Sequence, residues 1–266
     1  MIWRFAFALS CSLLSIAPRP ASACSTSSDC AVDSGTYRIS LPDGDKPMGA
    51  IVFAHGYQGS AAGVMKNKSL IKMAADRGLA LIAIDPGADD WNLAGAPGDS
   101  VAPRNEMAYL DAVMADAEQR FGVDPKRAVI TGFSAGGMFV WTVICERGDK
   151  YAGYIPYSGT FWKGPPASCP ALAQNIIHVH GTADTTVPIQ GRAIGATRQG
   201  NVMDVLSMYM GDKGFSADGD YAIADMTCSH AANAIGKRLD LCLFDGKHSF
   251  TSERLGAAYD MLMLKG

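Results

Sequence analysis

The sequence predicts an α/β protein, with a mostly parallel central sheet covered by helices on both faces. Three observations carry this reading. Short, nearly continuous apolar runs recur along the chain, each ending in glycine or polar residues, the pattern of strands buried on both faces. Between several of them lie segments with apolar residues spaced by three and four, the mark of helices with one apolar side. No Pro- or Ser-rich linker and no internal repeat divides residues 35–266, so this stretch reads as one domain.

The elements follow in order. "GTYRISLPDG" alternates and ends in a Pro/Gly turn, which predicts an edge strand or hairpin arm. Buried strands are predicted at "AIVFAHG", "LALIAID", "RAVITG", "YAGYIPYS", "NIIHVHG" and "LDLCLF". A helix is expected over "VMKNKSLIKMAADRG", with Gly78 at its end. In "RNEMAYLDAVMADAEQRFG", Met107, Leu110, Met114, Ala117 and Phe121 share one face and Gly122 closes the helix. "AGGMFVWTVICERG" reads as a further helix and "SERLGAAYDMLMLKG" as a terminal one.

The chain has 266 residues, 48% hydrophobic and 18% charged, enough for a large core and too apolar for a disordered chain. A formal net charge of -3 without any Lys/Arg run excludes the electrostatic footprint of a nucleic-acid binder or of an anionic-membrane binder. Residues 1–23 stand apart: Arg4, then a short apolar stretch, then Ala21-Ser22-Ala23. This is the layout of a secretory signal with an A-x-A cleavage site, and it predicts a secreted or periplasmic protein of residues 24–266. Cys24 beside the cut raises a lipoprotein reading, but Ala21 stands where a lipid-attachment site usually has Leu.

Removing the signal removes Cys11 and leaves Cys24, Cys30, Cys145, Cys169, Cys228 and Cys242. An even number in an exported chain reads as disulfides. The pairing is open; proximity along the chain favours Cys24–Cys30, Cys145–Cys169 and Cys228–Cys242. No C-x-x-C pair or nearby His couple suggests a metal site, and no metal or organic cofactor is expected.

In a sheet of this kind reactive groups gather at the carboxyl ends of the strands. "RAVITGFSAGGMF" places Ser134 two residues past a strand, between Gly132 and Gly136 and ahead of a helix. That is G-x-S-x-G in the strand–turn–helix setting of a nucleophile elbow. A serine hydroxyl is a weak nucleophile, so it needs a base, and the base needs an orienting acid, here in the order Ser, Asp/Glu, His. His248, in the loop "DGKHSF" after the strand "LDLCLF", is the candidate base. His178 and His180 lie in or at the end of a strand, where packing or loop anchoring is expected. His230 is expected in an exposed disulfide-bound loop. Asp184, in the turn after "NIIHVHG", is the candidate acid; Asp225, Asp240 and Asp245 lack the required position. The N–H of Ala135 and that of Tyr57, with Gln58 as the alternative, are the expected oxyanion donors. His55 is expected to brace the Tyr57 loop. Gln58 and the aromatic residues Tyr57, Trp91, Phe133, Trp162 and Phe250 lie on or near these loops and are candidate substrate contacts.

The segments "FAHGYQGSA", "WNLAG", "VDPKRAVITGFSAGGM", "HGTADTTVPIQG" and "GKHSF" resemble, in order and over nearly all of residues 24–266, the secreted esterases grouped with polyhydroxybutyrate depolymerases and feruloyl or acetylxylan esterases. The resemblance implies the α/β-hydrolase fold and a Ser-His-Asp triad on Ser134, His248 and Asp184. Relatives often continue the last motif as His-Ser-Trp-Pro-Gly; this chain has His248-Ser249-Phe250-Thr251, a departure on the leaving-group side. The expected activity is hydrolysis of feruloyl, acetyl, hydroxybutyryl or other aromatic or short-acyl esters. Residues 24–266 leave no room for a surface-binding module, so soluble esters or short oligomers are the expected substrates. A serine peptidase of the same fold and a non-catalytic binding protein are the competing readings.

Overall fold

The structure is a computed structural model and describes residues 24–44, 46–97 and 104–263. The secretory-signal reading falls on residues 1–23, outside the described residues. Each buried run becomes a strand: β1 (Cys30–Val32), β2 (Gly35–Ser40) and β3 (Gly49–Ala54) are followed by helices α1 (Ala61–Val64) and α2 (Lys68–Ala75). Then come β4 (Leu79–Ile84), α3 (Glu106–Phe121), β5 (Ala128–Phe133), α4 (Ala135–Arg147), β6 (Gly153–Tyr157) and β7 (Ile176–Gly181). A small hairpin, β8 (Arg192–Ile194) and β9 (Thr197–Gln199), precedes α5 (Val202–Lys213). The chain finishes with β10 (Phe215–Ile223), β11 (Met226–Asn233), β12 (Arg238–Phe244) and α6 (Ser252–Met263).

Among the described residues, ten strands form one sheet in the order β1-β2-β4-β3-β5-β6-β7-β12-β11-β10. The block from β4 to β12 is parallel. Its flanks, β1–β2 at one side and β11–β10 at the other, are antiparallel. This is the α/β-hydrolase arrangement that the motifs imply. Alternate residues of one strand serve two cores. Ala50, Val52 and Ala54 face a core built with α3, α4 and α5, whereas Ile51 and Phe53 face a second core built with α2 and α6. That two-sided burial is why the central strands read as unbroken apolar runs.

Local chemistry sets the helix ends. The side chain of Asn105 accepts from the N–H groups of Met107 and Ala108, and Gly122 ends α3 at φ 69°. Asn201 and Gly214 bound α5 in the same way. The expected helix over residues 64–78 is two helices, because the side chain of Asn67 accepts from Leu70 N–H and restarts the helix at Lys68. The strand "GTYRISLPDG" is a hairpin arm, with β1 outside it as the edge. Cys24 pairs with Cys30, Cys145 with Cys169 and Cys228 with Cys242, the pairing that proximity along the chain favoured.

Candidate active site

Ser134 stands between β5 and α4 at φ 60° and ψ -118°, a conformation costly for any residue with a side chain. The surroundings hold it there. Its N–H donates to the Tyr157 carbonyl at 2.9 Å, and its carbonyl accepts from Met138 N–H at 3.0 Å. A Cβ on Gly132 or Gly136 would run into backbone, including the Ala54 carbonyl. Both positions of the motif are therefore glycine for lack of room. Gly56 also approaches closely: a Cβ there would stand 3.2 Å from Ser134 Cβ, so the loop after β3 lies directly against the serine.

That loop is braced as expected. His55 Nε2 lies 3.0 Å from Asp85 Oδ1 and Nδ1 lies 2.8 Å from the Gly56 carbonyl. Asp85 also accepts from Ala61 N–H at 2.6 Å, and Trp91 Nε1 donates to the His55 carbonyl at 2.9 Å. Burial pushes the Asp85 carboxyl up, but the bonds from His55 and Ala61 outweigh it and hold it below its ordinary range. Tyr57, 62% exposed, and Ala135 both line the same cavity as Ser134.

Asp184 and His248 meet. Asp184 Oδ2 lies 2.6 Å from His248 Nδ1, and Oδ1 accepts from the N–H groups of Thr186 and Val187, each at 2.9 Å. The Asp184 side chain is fully buried. Burial works against its charge, yet the hydrogen bonds from His248 and Val187 hold its carboxyl below the usual range, so it is ionised. The His248 imidazole lies on the ring of Phe133, centroids 4.5 Å apart. Phe133 packs in turn on Phe250, which meets Phe53 and Tyr157. Among the described residues, Ser134 Oγ makes no hydrogen bond.

The two strand histidines buttress the turn that holds Asp184. His180 Nε2 lies 2.8 Å from the Val187 carbonyl, His178 Nε2 lies 2.9 Å from His180 Nδ1, and both rings are fully buried. A carbonyl can only accept, so His180 carries its proton on Nε2. Its Nδ1 then accepts from His178 Nε2–H. His178 Nδ1 is left buried and without a partner. Burial holds His178 well below the usual histidine range and His180 below it as well.

A cavity of about 780 Å³ opens beside Ser134. Tyr57, Trp91 and Trp162 line it, as the sequence suggested; Gln58, Phe133 and Phe250 do not, the two phenylalanines packing behind His248. Its other walls come from Met138, Val187, Asp89, Asp90, Glu106, Arg104 and the β8–β9 residues Arg192, Ile194 and Gln199. Sequence reasoning missed these. Only the helical spacing that points Met138 off the elbow offered a sign. His230 corrects an expectation: it sits on β11, not in a loop, and its Nδ1 contacts the fully buried Asp240 at 2.5 Å. Asp240 also holds Tyr221 and Arg238, away from the cavity.

Residues 104–204 match the phospholipase/carboxylesterase family. The putative esterase NocK of Nocardia uniformis subsp. tsuyamanensis is 28% identical over 152 residues, 57% of this chain and 43% of its own length. Feruloyl esterase C of Emericella nidulans is 26% identical over 161 residues, 58% of this chain and 57% of its own. The chain thus spans about half the length of these curated relatives. The solved S-formylglutathione hydrolase from Agrobacterium tumefaciens shares the fold at a TM-score of 0.60 and 14% identity, covering 88% of this chain and 94% of that one. The chain thus has the α/β-hydrolase fold, and over residues 104–204 it is similar to the phospholipase/carboxylesterase family.

Proposed function

We propose that the chain is an exported serine carboxylic-ester hydrolase, with Ser134 as nucleophile, His248 as general base and Asp184 as orienting acid. The carrying observation is the 2.6 Å contact between His248 and the buried Asp184. A carboxylate only accepts, so His248 Nδ1 holds the proton and Nε2 presents a lone pair. Ser134 Oγ attacks the ester carbonyl as its proton passes to Nε2. The N–H groups of Tyr57 and Ala135 receive the developing oxyanion. His248 then gives the proton to the leaving alcohol, and water, activated in the same way, releases the acid.

Residues 24–266 act as one catalytic domain, and residues 1–23 direct export to the periplasm or beyond. The three disulfides support an oxidising destination. The aromatic and aliphatic cavity walls support soluble aromatic or short-acyl esters and short oligomers, feruloyl, acetyl and hydroxybutyryl among them. The test is fluorophosphonate labelling of the wild type and of Ser134→Ala, beside hydrolysis of para-nitrophenyl acetate. The wild type takes the label; the variant stays folded, takes none and loses kcat by several orders of magnitude. Near wild-type turnover in folded Ser134→Ala overturns the assignment.

A further inference from the structure

The β8–β9 hairpin presents two faces of different character. Strand alternation puts Arg192, Ile194 and the opposed Gln199 on the side that lines the Ser134 cavity. Ala193 and Arg198 do not line it. The hairpin is fastened at several points. Trp162 bridges to Gln199, Lys163 N–H donates to the Arg198 carbonyl at 2.7 Å, and Gly200 N–H donates to the Phe161 carbonyl at 2.8 Å. Thr197 Oγ1 donates to the Gly95 carbonyl across the chain.

Five charged residues line this cavity: Asp89, Asp90, Arg104, Glu106 and Arg192. Arg104 and Glu106 neutralise each other at 2.5 Å, and Arg104 is further occupied by the carbonyls of Ser34 and Asp85. Asp90 caps the N–H of Trp91, and burial pushes its carboxyl up. Arg192 differs. Its Nε donates to Oε1 of the buried Gln199 at 3.2 Å, while among the described residues Nη1 and Nη2 make no hydrogen bond. No carboxylate among the described residues lies within ion-pair distance of it. Arg192 is exposed where it lines the cavity, and a guanidinium oriented through Nε with its two remaining nitrogens unengaged is suited to bidentate recognition of a carboxylate.

Resting on the serine-esterase reading above, we infer that Arg192 selects esters that carry a free carboxylate at the end remote from the scissile bond. The hydrocarbon or aromatic body lies along Trp91, Met138, Trp162 and Ile194. The carboxylate belongs either to the acyl part or to the alcohol part. Two matched pairs separate these: the mono-para-nitrophenyl ester of adipic acid against its methyl ester, and para-acetoxybenzoate against methyl para-acetoxybenzoate.

The wild type is expected to favour the acid member of one pair in kcat/KM, and the favoured pair names the side. Arg192→Gln should cut that acid-to-neutral ratio roughly tenfold, the scale of a partly exposed charged hydrogen bond. Arg198→Gln, on the other side of the hairpin, should leave it unchanged. The ratio is internally controlled, since the neutral ester reports folding in the same preparation. Equal ratios in wild type and Arg192→Gln overturn the inference. So does a wild-type preference for a cationic ester such as para-nitrophenyl 6-aminohexanoate, which would make Asp89 and Asp90 the selecting groups. Absence of turnover on every ester, neutral ones included, overturns the esterase reading itself.

Discussion

His178 and His180 show how a strand supports Asp184 from inside the core. Their paired rings tie β7 to the Val187 carbonyl, and Val187 N–H in turn holds Asp184. Both are neutral because burial opposes their charge. Above the ordinary histidine value of about 6.5, folded and unfolded chains are alike unprotonated at these sites. As pH falls below it, the unfolded chain takes up protons that the buried rings refuse, so stability is lost on the acid side. The slope is about 1.4 kcal/mol per pH unit for each such proton. His178→Phe should flatten the pH dependence of the unfolding free energy between about pH 6 and 4 by up to one proton. Urea titrations across that range check it, and an unchanged slope would contradict the buried-neutral assignment. The elbow at Ser134 and the meeting of Asp184 with His248 were legible in the sequence because each residue follows a strand in a fixed order. Arg192 and Gln199 were not: nothing in a local window reveals that "RAIGATRQ" folds back over the cavity.

At the scale of the element, the elbow between β5 and α4 depends on close backbone approach. Gly136 lies against the carbonyl of Ala54, which brings the start of α4 down onto β3. Gly136→Ala must push these apart, at a cost of about 1–3 kcal/mol or more, with loss of activity. Gly211, inside α5, has open space around its would-be Cβ. There the same substitution should stabilise by about 0.5–1 kcal/mol through helix propensity alone. Denaturant midpoints of the two variants make the comparison, and equal shifts would refute the packing account. The central strands and α3 were readable because burial on two faces and on one face leave different periodicities. β10 escaped notice since "FSADGDYAI" keeps most of its length exposed, and β11 since "MTCSHAAN" mixes buried positions with polar residues and makes no unbroken apolar run. The restart at Lys68 was hidden because helical spacing continues across Asn67.

For the whole molecule, the sheet is what makes the site a site. Ser134, Asp184 and His248 follow β5, β7 and β12, strands of one parallel block whose carboxyl ends share a direction. Their mutual positions are set by strand spacing and sheet twist, so the loops need supply only the last few ångströms. This was readable as far as the parallel block went. The extension beyond β12 was not, because strands with one solvated face lack the unbroken apolar signature.

That extension decides the order in which parts come together. β10, β11 and β12 form a meander within residues 215–244, pairings that close short loops quickly. Docking of β12 on β7 joins residues 239–244 to residues 176–181, a far longer closure that pays its entropy late. His248 hangs from the far end of β12, so it reaches Asp184 only after that slow step. In refolding from urea with disulfides intact, the meander should therefore gain amide protection before the proposed esterase activity returns. Simultaneous recovery of both signals would show that the meander forms only once the parallel block has closed.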